Sequence, residues 1–248
     1  MPAMYDKPVR ILMQEMIPAL GISPGDTFTR EQAVQWFAEN YPKIKQGTVA
    51  AHLVRLSTNV LSRLQYSARP DGSDDHFFKI DSSTFRLYEP GRDPTPISES
   101  TPASEEPNES PSEGTGEFAY EHDLRNFLAR NLQLIEPGLT LYTDEGITGV
   151  EFPVGGRFID ILAVDLSGNY VVIELKVSKG YDRVVGQLLR YMNWIKKNHS
   201  DEGQNVRGVI VAKNISEDLR LACDGLPEVA LAEYELAVSI RPVSGLNA

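Results

Sequence analysis

Gly156-Arg157-Phe158-Ile159-Asp160 and Val172-Ile173-Glu174-Leu175-Lys176 decide how this chain is read. Both are apolar runs of strand length, and each is interrupted by an acid where a buried strand ordinarily carries another aliphatic residue. An unpaired carboxylate inside a core is expensive, so two of them on neighbouring strands require a cation between them or internal ion pairs. If Ser167-Gly168-Asn169 forms a three-residue hairpin loop, Leu166 faces Tyr170, Asp160 faces Lys176 and Leu162 faces Glu174. Asp160 and Glu174 are then diagonal neighbours on one sheet face, about 7–8 Å apart at the backbone, with Lys176 on that same face. A two-residue loop would slip the register by one and send Asp160 to the far side.

Two carboxylates and an amine on one face suit phosphodiester hydrolysis. An all-oxygen donor set favours Mg²⁺ or Mn²⁺ over zinc, and such an ion polarises the scissile phosphate. Lys176 is placed to position the attacking water or to offset charge that develops in the transition state. Spacing alone leaves a second reading open, a buried Asp–Lys–Glu cluster of ion pairs with no chemistry.

The surrounding pattern is α/β. Residues 118–132 form an amphipathic helix through Phe118, Leu124, Phe127, Leu128 and Leu132. Strands are predicted near 157–166, 170–177, 206–212 and 229–240, and helices over 181–197 and near 216–224. Ahead of this unit, residues 90–117 are built from Pro, Ser, Thr, Glu and Gly with one basic and seven acidic side chains. Such a stretch buries too little apolar surface to offset its ordering entropy and reads as a mobile tether. The expected organisation is 1–89, an acidic linker over 90–117, and a mixed sheet flanked by helices over 118–248.

Residues 1–89 read as three helices followed by a hairpin, the layout of a winged helix. Helical spacing covers 8–20. Thr29 with Gln32 forms a capping box opening a helix to about Asn40, and Gly47-Thr48 opens a third with an apolar stripe of Val49, Leu53, Leu56, Val60 and Leu64. Phe77–Ile80 and Phe85–Tyr88 are the strands. The net charge of −11 argues against a polyanionic partner only if it is uniform, and between Asn40 and Pro70 there is no acid, while Lys43, Lys45, Arg55, Arg63 and Arg69 are basic. With the third helix set to enter a major groove, Lys43, Lys45, Thr48, His52 and Arg55 are the expected DNA contacts. The competing reading is a protein-interaction module with a solvated basic face.

A single Cys223 excludes a disulfide framework and a cysteine zinc site. No segment has the roughly 20 apolar residues that span a bilayer, and the start lacks a signal-peptide pattern, so a cytoplasmic protein is expected. There is no Gly-Lys-Ser/Thr phosphate loop and no dinucleotide fingerprint.

At Asp160 and Glu174-Leu175-Lys176 the chain resembles the PD-(D/E)XK nuclease superfamily, although no proline precedes Asp160. From Tyr120 onward it is most similar to the catalytic domain of the NucS/EndoMS endonucleases. The likeness runs through Glu121, Asn131-Leu132, Ile135-Glu136-Pro137-Gly138-Leu139, Gly156 to Asp160, Val171 to Lys176, Gln187 to Tyr191 and Val206-Arg207-Gly208. The resemblance implies that Asp160 and Glu174 ligate Mg²⁺ or Mn²⁺ with the main-chain carbonyl of Leu175. It also implies that Glu121 reaches the ion through water, that Gln187 and Tyr191 flank the site, and that Arg157 contacts phosphate. The β-rich front domain of those enzymes is not matched by residues 1–89, which look instead like the winged-helix modules of restriction-type nucleases. The implied protein is a divalent-metal-dependent endonuclease acting on double-stranded DNA in restriction, defence or repair, as a homodimer. A DNA-binding regulator that keeps the nuclease scaffold without cutting is the alternative.

Overall fold

A computed structural model describes residues 5–98, 115–177 and 182–236. The first unit contains α1 (Val9–Ala19), β1 (Thr27–Thr29), α2 (Arg30–Asn40), α3 (Gln46–Arg55), β2 (Phe77–Lys79) and β3 (Thr84–Leu87). The Thr29 hydroxyl accepts from the Gln32 N–H and the Gln32 side chain accepts from the Thr29 N–H, so the capping box forms as read. β1 was not foreseen. It pairs antiparallel with β3 and completes a sheet of order β1-β3-β2.

The third helix is shorter than its stripe predicts. It stops at Arg55, with Leu56 as its cap, and the three side chains after Leu56 bond to backbone rather than extend the helix. Ser57 donates to the Leu53 carbonyl at 2.7 Å, Thr58 to Phe77 at 3.2 Å, and Asn59 exchanges two 2.9 Å bonds with the Lys79 backbone. These bonds fasten the end of α3 to β2. The chain remains anchored well into the expected tether: Asp93 accepts from Arg86 and from the Glu89 N–H, and the Ile97 N–H donates to Thr58 at 2.8 Å. Residues 99–114 lie outside the described residues, and Thr115–Arg130 is already helix α4.

The second unit continues with β4 (Thr140–Leu141), β5 (Thr143–Asp144), β6 (Ile147–Thr148), β7 (Val150–Val154), β8 (Arg157–Val164), β9 (Tyr170–Lys176), α5 (Asp182–Asn198), β10 (Val206–Ala212), α6 (Glu217–Cys223) and β11 (Val229–Glu233). Its main sheet has the order β11-β10-β9-β8-β4, with β7 also on β8. β9, β10 and β11 are parallel, and β8 is antiparallel to β9. The last strand ends at Glu233, and residues 237–240 of its expected span lie outside the described residues. The α4 residues Leu124 and Leu128 cover one sheet face with Ile161, Ile173 and Val209. On the other face, Val184, Leu188 and Ile195 of α5 pack over Leu162, Val172 and Ile210, with Leu219 and Cys223 of α6.

That second cluster also takes in Ala51, Val54, Val60 and Tyr66 from the first unit. The two units therefore share apolar interior, with α3 laid against β7.

Candidate active site

The β8–β9 hairpin sets the site. Its last pair is Val164↔Tyr170, and Asp165 rather than Leu166 closes the loop by donating its N–H to Asn169 at 2.9 Å. The Asp165 side chain accepts from the Ser167 and Asn169 N–H groups, both at 2.9 Å, an Asx turn that selects this closure. The loop is odd in length, as the reading required, but it begins one residue earlier. The register is consequently Ile161↔Ile173 and Leu162↔Val172, and the ladder ends there, with Asp160 just beyond it and its N–H 3.4 Å from Glu174 Oε1.

The register of β7 on β8, Val150↔Ile161 and Phe152↔Ile159, brings Glu151 to the same level. Glu151, Asp160 and Glu174 thus come from three adjacent strands, β7, β8 and β9. Glu151 sits at φ +50°, a left-handed conformation that is costly for a non-glycine residue.

Glu174 is buried, with 1% of its surface accessible, and Asp160 is partly covered. The Leu175 N–H donates to Asp160 Oδ2 at 2.9 Å, and the Asp160 N–H lies 3.4 Å from Glu174 Oε1. Gln187 Nε2 of α5 donates to Glu174 Oε2 at 2.7 Å. Burial, and after it the neighbouring Asp160 carboxylate, pushes the Glu174 carboxyl well above the ordinary carboxylate range. Asp160 is raised by burial, opposed by the Leu175 N–H and by Arg125 and Lys176. Glu121, on α4, is raised by burial and by Asp160, and lowered by Lys176 and Arg125. Asp160, Glu174, Glu121 and Lys176 are therefore one electrostatic cluster, with Gln187 tied to it by hydrogen bond.

The sequence reading missed Arg125 and Glu151. Arg125 Nη2 lies 2.6 Å from Glu151 Oε1, and its Nη1 lies 3.9 Å from Asp160 Oδ1. Arg125 is four residues beyond Glu121, hence on the same helix face, a spacing that was available in the sequence. Glu151 precedes Pro153 and the Gly155-Gly156 turn, which hid the strand.

Among the described residues, no three His, Cys, Asp or Glu side chains form a ready metal cage. The donor set nonetheless fits a hard divalent cation. Neighbouring carboxylates, one buried and one partly covered, whose charged forms are disfavoured by burial and mutual repulsion are what such an ion relieves.

The expected DNA contacts on α3 are corrected. Thr48, His52 and Arg55 are buried, because α3 docks on the second unit instead of facing solvent. Thr48 Oγ1 lies 3.5 Å from Asp144, and Arg55 Nη1 donates to the Glu145 carbonyl at 2.8 Å while its Nε and Nη2 bond Asp74 at 3.2 and 3.0 Å. His52 Nε2 lies 4.0 Å from Glu145 Oε2, yet burial lowers the imidazole to about 4, so it is neutral and the contact is no ion pair. Lys45 pairs with Asp201 across the seam. Tyr191, expected to flank the site, is 3% exposed and lies close enough to Glu174 for that acid to raise its phenol, so it offers no surface to DNA. Lys43 and Arg157 are exposed.

The second unit is thus a mixed sheet flanked by helices, with Asp160 and Glu174 on adjacent central strands. Residues 120–226 match the family model described as Endonuclease NucS C-terminal domain, and this C-terminal region is NucS-like. Residues 8–87 match a domain of unknown function (DUF7669). The chain is similar to Endonuclease NucS of Pyrococcus abyssi, with 34% identity over 98 residues, 39% of this chain and 35% of that one. It is also similar to Endonuclease NucS of Sulfolobus acidocaldarius, with 36% identity over 106 residues, 42% of this chain and 38% of that one. It therefore spans little more than a third of the length of these curated relatives. Among solved structures, "crystal structure of a repair endonuclease from Pyrococcus abyssi" is 28% identical, covers 52% of this chain and 50% of that one, and has a TM-score of 0.38. "Structure of EndoMS-dsDNA2 complex" is 20% identical, covers 62% of this chain and 53% of that one, and has a TM-score of 0.39.

Proposed function

We propose that the protein is a divalent-metal-dependent endonuclease that hydrolyses phosphodiester bonds of double-stranded DNA, in a restriction, defence or repair setting. The observation that carries this reading is the approach of Asp160 to Glu174 on adjacent strands, with the Asp160 N–H 3.4 Å from Glu174 Oε1 and Lys176 in the same cluster. Asp160 and Glu174 would hold Mg²⁺ or Mn²⁺, and the ion supplies polarisation of the scissile phosphate. Gln187 orients the Glu174 carboxylate by its 2.7 Å bond. Lys176 places an ammonium beside the acids, where it orients a water or offsets negative charge on the phosphate. Glu121 accepts a proton or holds a water at the α4 edge, its raised pKa suiting that task.

Residues 8–87 are read as a winged-helix-type module whose third helix serves the fold, so DNA is met by other surfaces, with exposed Lys43 and Arg157 as contacts. Cutting both strands calls for two active sites, hence a homodimer. The protein acts in the cytoplasm, and no helix among the described residues is long and apolar enough to cross a membrane.

Plasmid nicking with Mg²⁺ tests the reading. Asp160→Ala and Glu174→Ala should each lower the rate by at least about 10³-fold, a loss of some 4 kcal/mol of transition-state stabilisation. Equal activity in all three proteins overturns it.

A further inference from the structure

The residues around Asp160 join the two units through one continuous set of contacts. Tyr66, fully buried in the first unit, donates its hydroxyl to the Glu151 carbonyl. The bond meets the backbone of Glu151 where it is left-handed, at φ +50°, and the Glu151 carboxylate lies 2.6 Å from Arg125. Arg125 is 8% exposed, its Nε has no hydrogen-bond partner, and its Nη1 lies 3.9 Å from Asp160 Oδ1. A buried guanidinium beside a candidate cation site works against that site unless its charge is taken up elsewhere. Glu151 takes it up.

We propose that Glu151 and Arg125 are a positioning pair that sets the divalent-cation affinity of the Asp160–Glu174 site, and that Tyr66 makes this setting depend on docking of the N-terminal module. This rests on the nuclease reading above and adds a regulation to it. With the pair intact, the two charges cancel near Asp160. With Glu151 neutral, Arg125 faces Asp160 uncompensated and competes with the cation. With Arg125 neutral, Glu151 adds a negative charge beside Asp160. Tyr66 acts at one remove, because losing its hydroxyl frees the Glu151 backbone and lengthens the ion pair.

The two halves of the pair therefore have opposite signs, which a merely structural role would not produce. The test is Mn²⁺ binding to the full-length protein without DNA, by titration calorimetry, on wild type, Glu151→Gln, Arg125→Gln, Arg125→Lys and Tyr66→Phe. Glu151→Gln should weaken binding by about fivefold and Arg125→Gln should tighten it by a similar factor, the effect of one partly screened charge at this range. Arg125→Lys should restore near wild-type affinity, and Tyr66→Phe should weaken it by about twofold. Glu151→Gln is near-isosteric and Tyr66→Phe removes one atom, so these two read out the proposal even if Arg125→Gln fails to fold. Wild-type binding with Glu151→Gln unchanged or tighter, or with Glu151→Gln and Arg125→Gln shifted the same way, overturns this proposal alone. No Mn²⁺ binding by the wild-type protein overturns the nuclease reading and this one together.

Discussion

Two clusters of buried charge lie in this protein, one in the seam between the units and one in the acidic cleft, and they are built differently. In the seam each buried guanidinium has its acid: Arg55 holds Asp74, and Arg63 holds Asp75 at 2.5 Å. The remaining Arg55 donors meet the Glu145 and Ser67 carbonyls. In the cleft, four carboxylates (Glu121, Glu151, Asp160 and Glu174) face two cations, Arg125 and Lys176. Both clusters are largely removed from water, but the Arg55–Asp74 and Arg63–Asp75 pairs balance one for one, whereas the cleft carries four acids against two cations. Burial of ionisable groups by itself marks structure; the surplus marks a place where something of opposite charge is meant to bind.

The largest test of that contrast is acidification. His52 and His199 are buried and neutral at the seam, lowered to about 4 and about 3 chiefly by burial. Arg55, Asp74, Arg10 and Glu145 face His52, and Lys45 and Asp201 face His199. A histidine depressed in the folded state contributes stability above its ordinary value near 6.5, and that stability is lost as pH falls toward the folded value. Each should cost roughly 3 kcal/mol by pH 4, measured as urea unfolding from pH 7 downward. The raised cleft acids work in the other direction over the same window, so a stability that climbs monotonically on acidification would refute the seam's role.

Next in size is Asp74→Leu, which strands Arg55 in the seam and should destabilise by about 3–5 kcal/mol. An effect below about 1 kcal/mol would show that the seam pair is dispensable. Gly47→Ala is smaller. A Cβ there would sit 2.5 Å from His199 Nδ1, and that imidazole is hemmed in by Tyr142, Phe152 and Tyr170 with ring centroids 5.0–5.2 Å away. The helix must then lift, at about 1–3 kcal/mol in thermal unfolding.

The contrast also explains what could be read from the sequence. The acid-in-apolar-run pattern located Asp160, Glu174 and Lys176 because carboxylates inside strands break a simple rule. The capping box at Thr29 and the strand Val206–Ala212 were equally legible, since both depend on residues near in sequence. The α3 face was misread because Thr48, His52 and Arg55 have the composition of a solvated basic face. Their burial depends on Asp144 and Glu145, about 90 residues away, which no local pattern reveals. Glu151 was invisible for a related reason: Pro153 and the paired glycines break the alternation of β7, and its place beside Asp160 comes from strand register.

Glu174→Gln sharpens the comparison with the smallest and most telling effect. Burial and Asp160 raise the folded-state pKa of Glu174 above its unfolded value. Such a group contributes stability below the unfolded pKa, and the contribution is lost as pH rises through the folded one. At neutral pH without metal, keeping Glu174 buried beside Asp160 therefore costs the fold stability, and the amide removes that cost while still offering an oxygen to Gln187. The variant should melt higher than wild type at pH 7.5 in EDTA, by about 2–4 °C, the scale of 1 kcal/mol for a chain of this size. At pH 4 the gap should close, and Mg²⁺ should raise the wild-type melting temperature but not the variant's. Asp74→Leu should lower stability under all these conditions, because its charge is satisfied within the protein. A Glu174→Gln melting temperature below wild type would mean that the cleft, too, is internally compensated, and the distinction between the two clusters would fail.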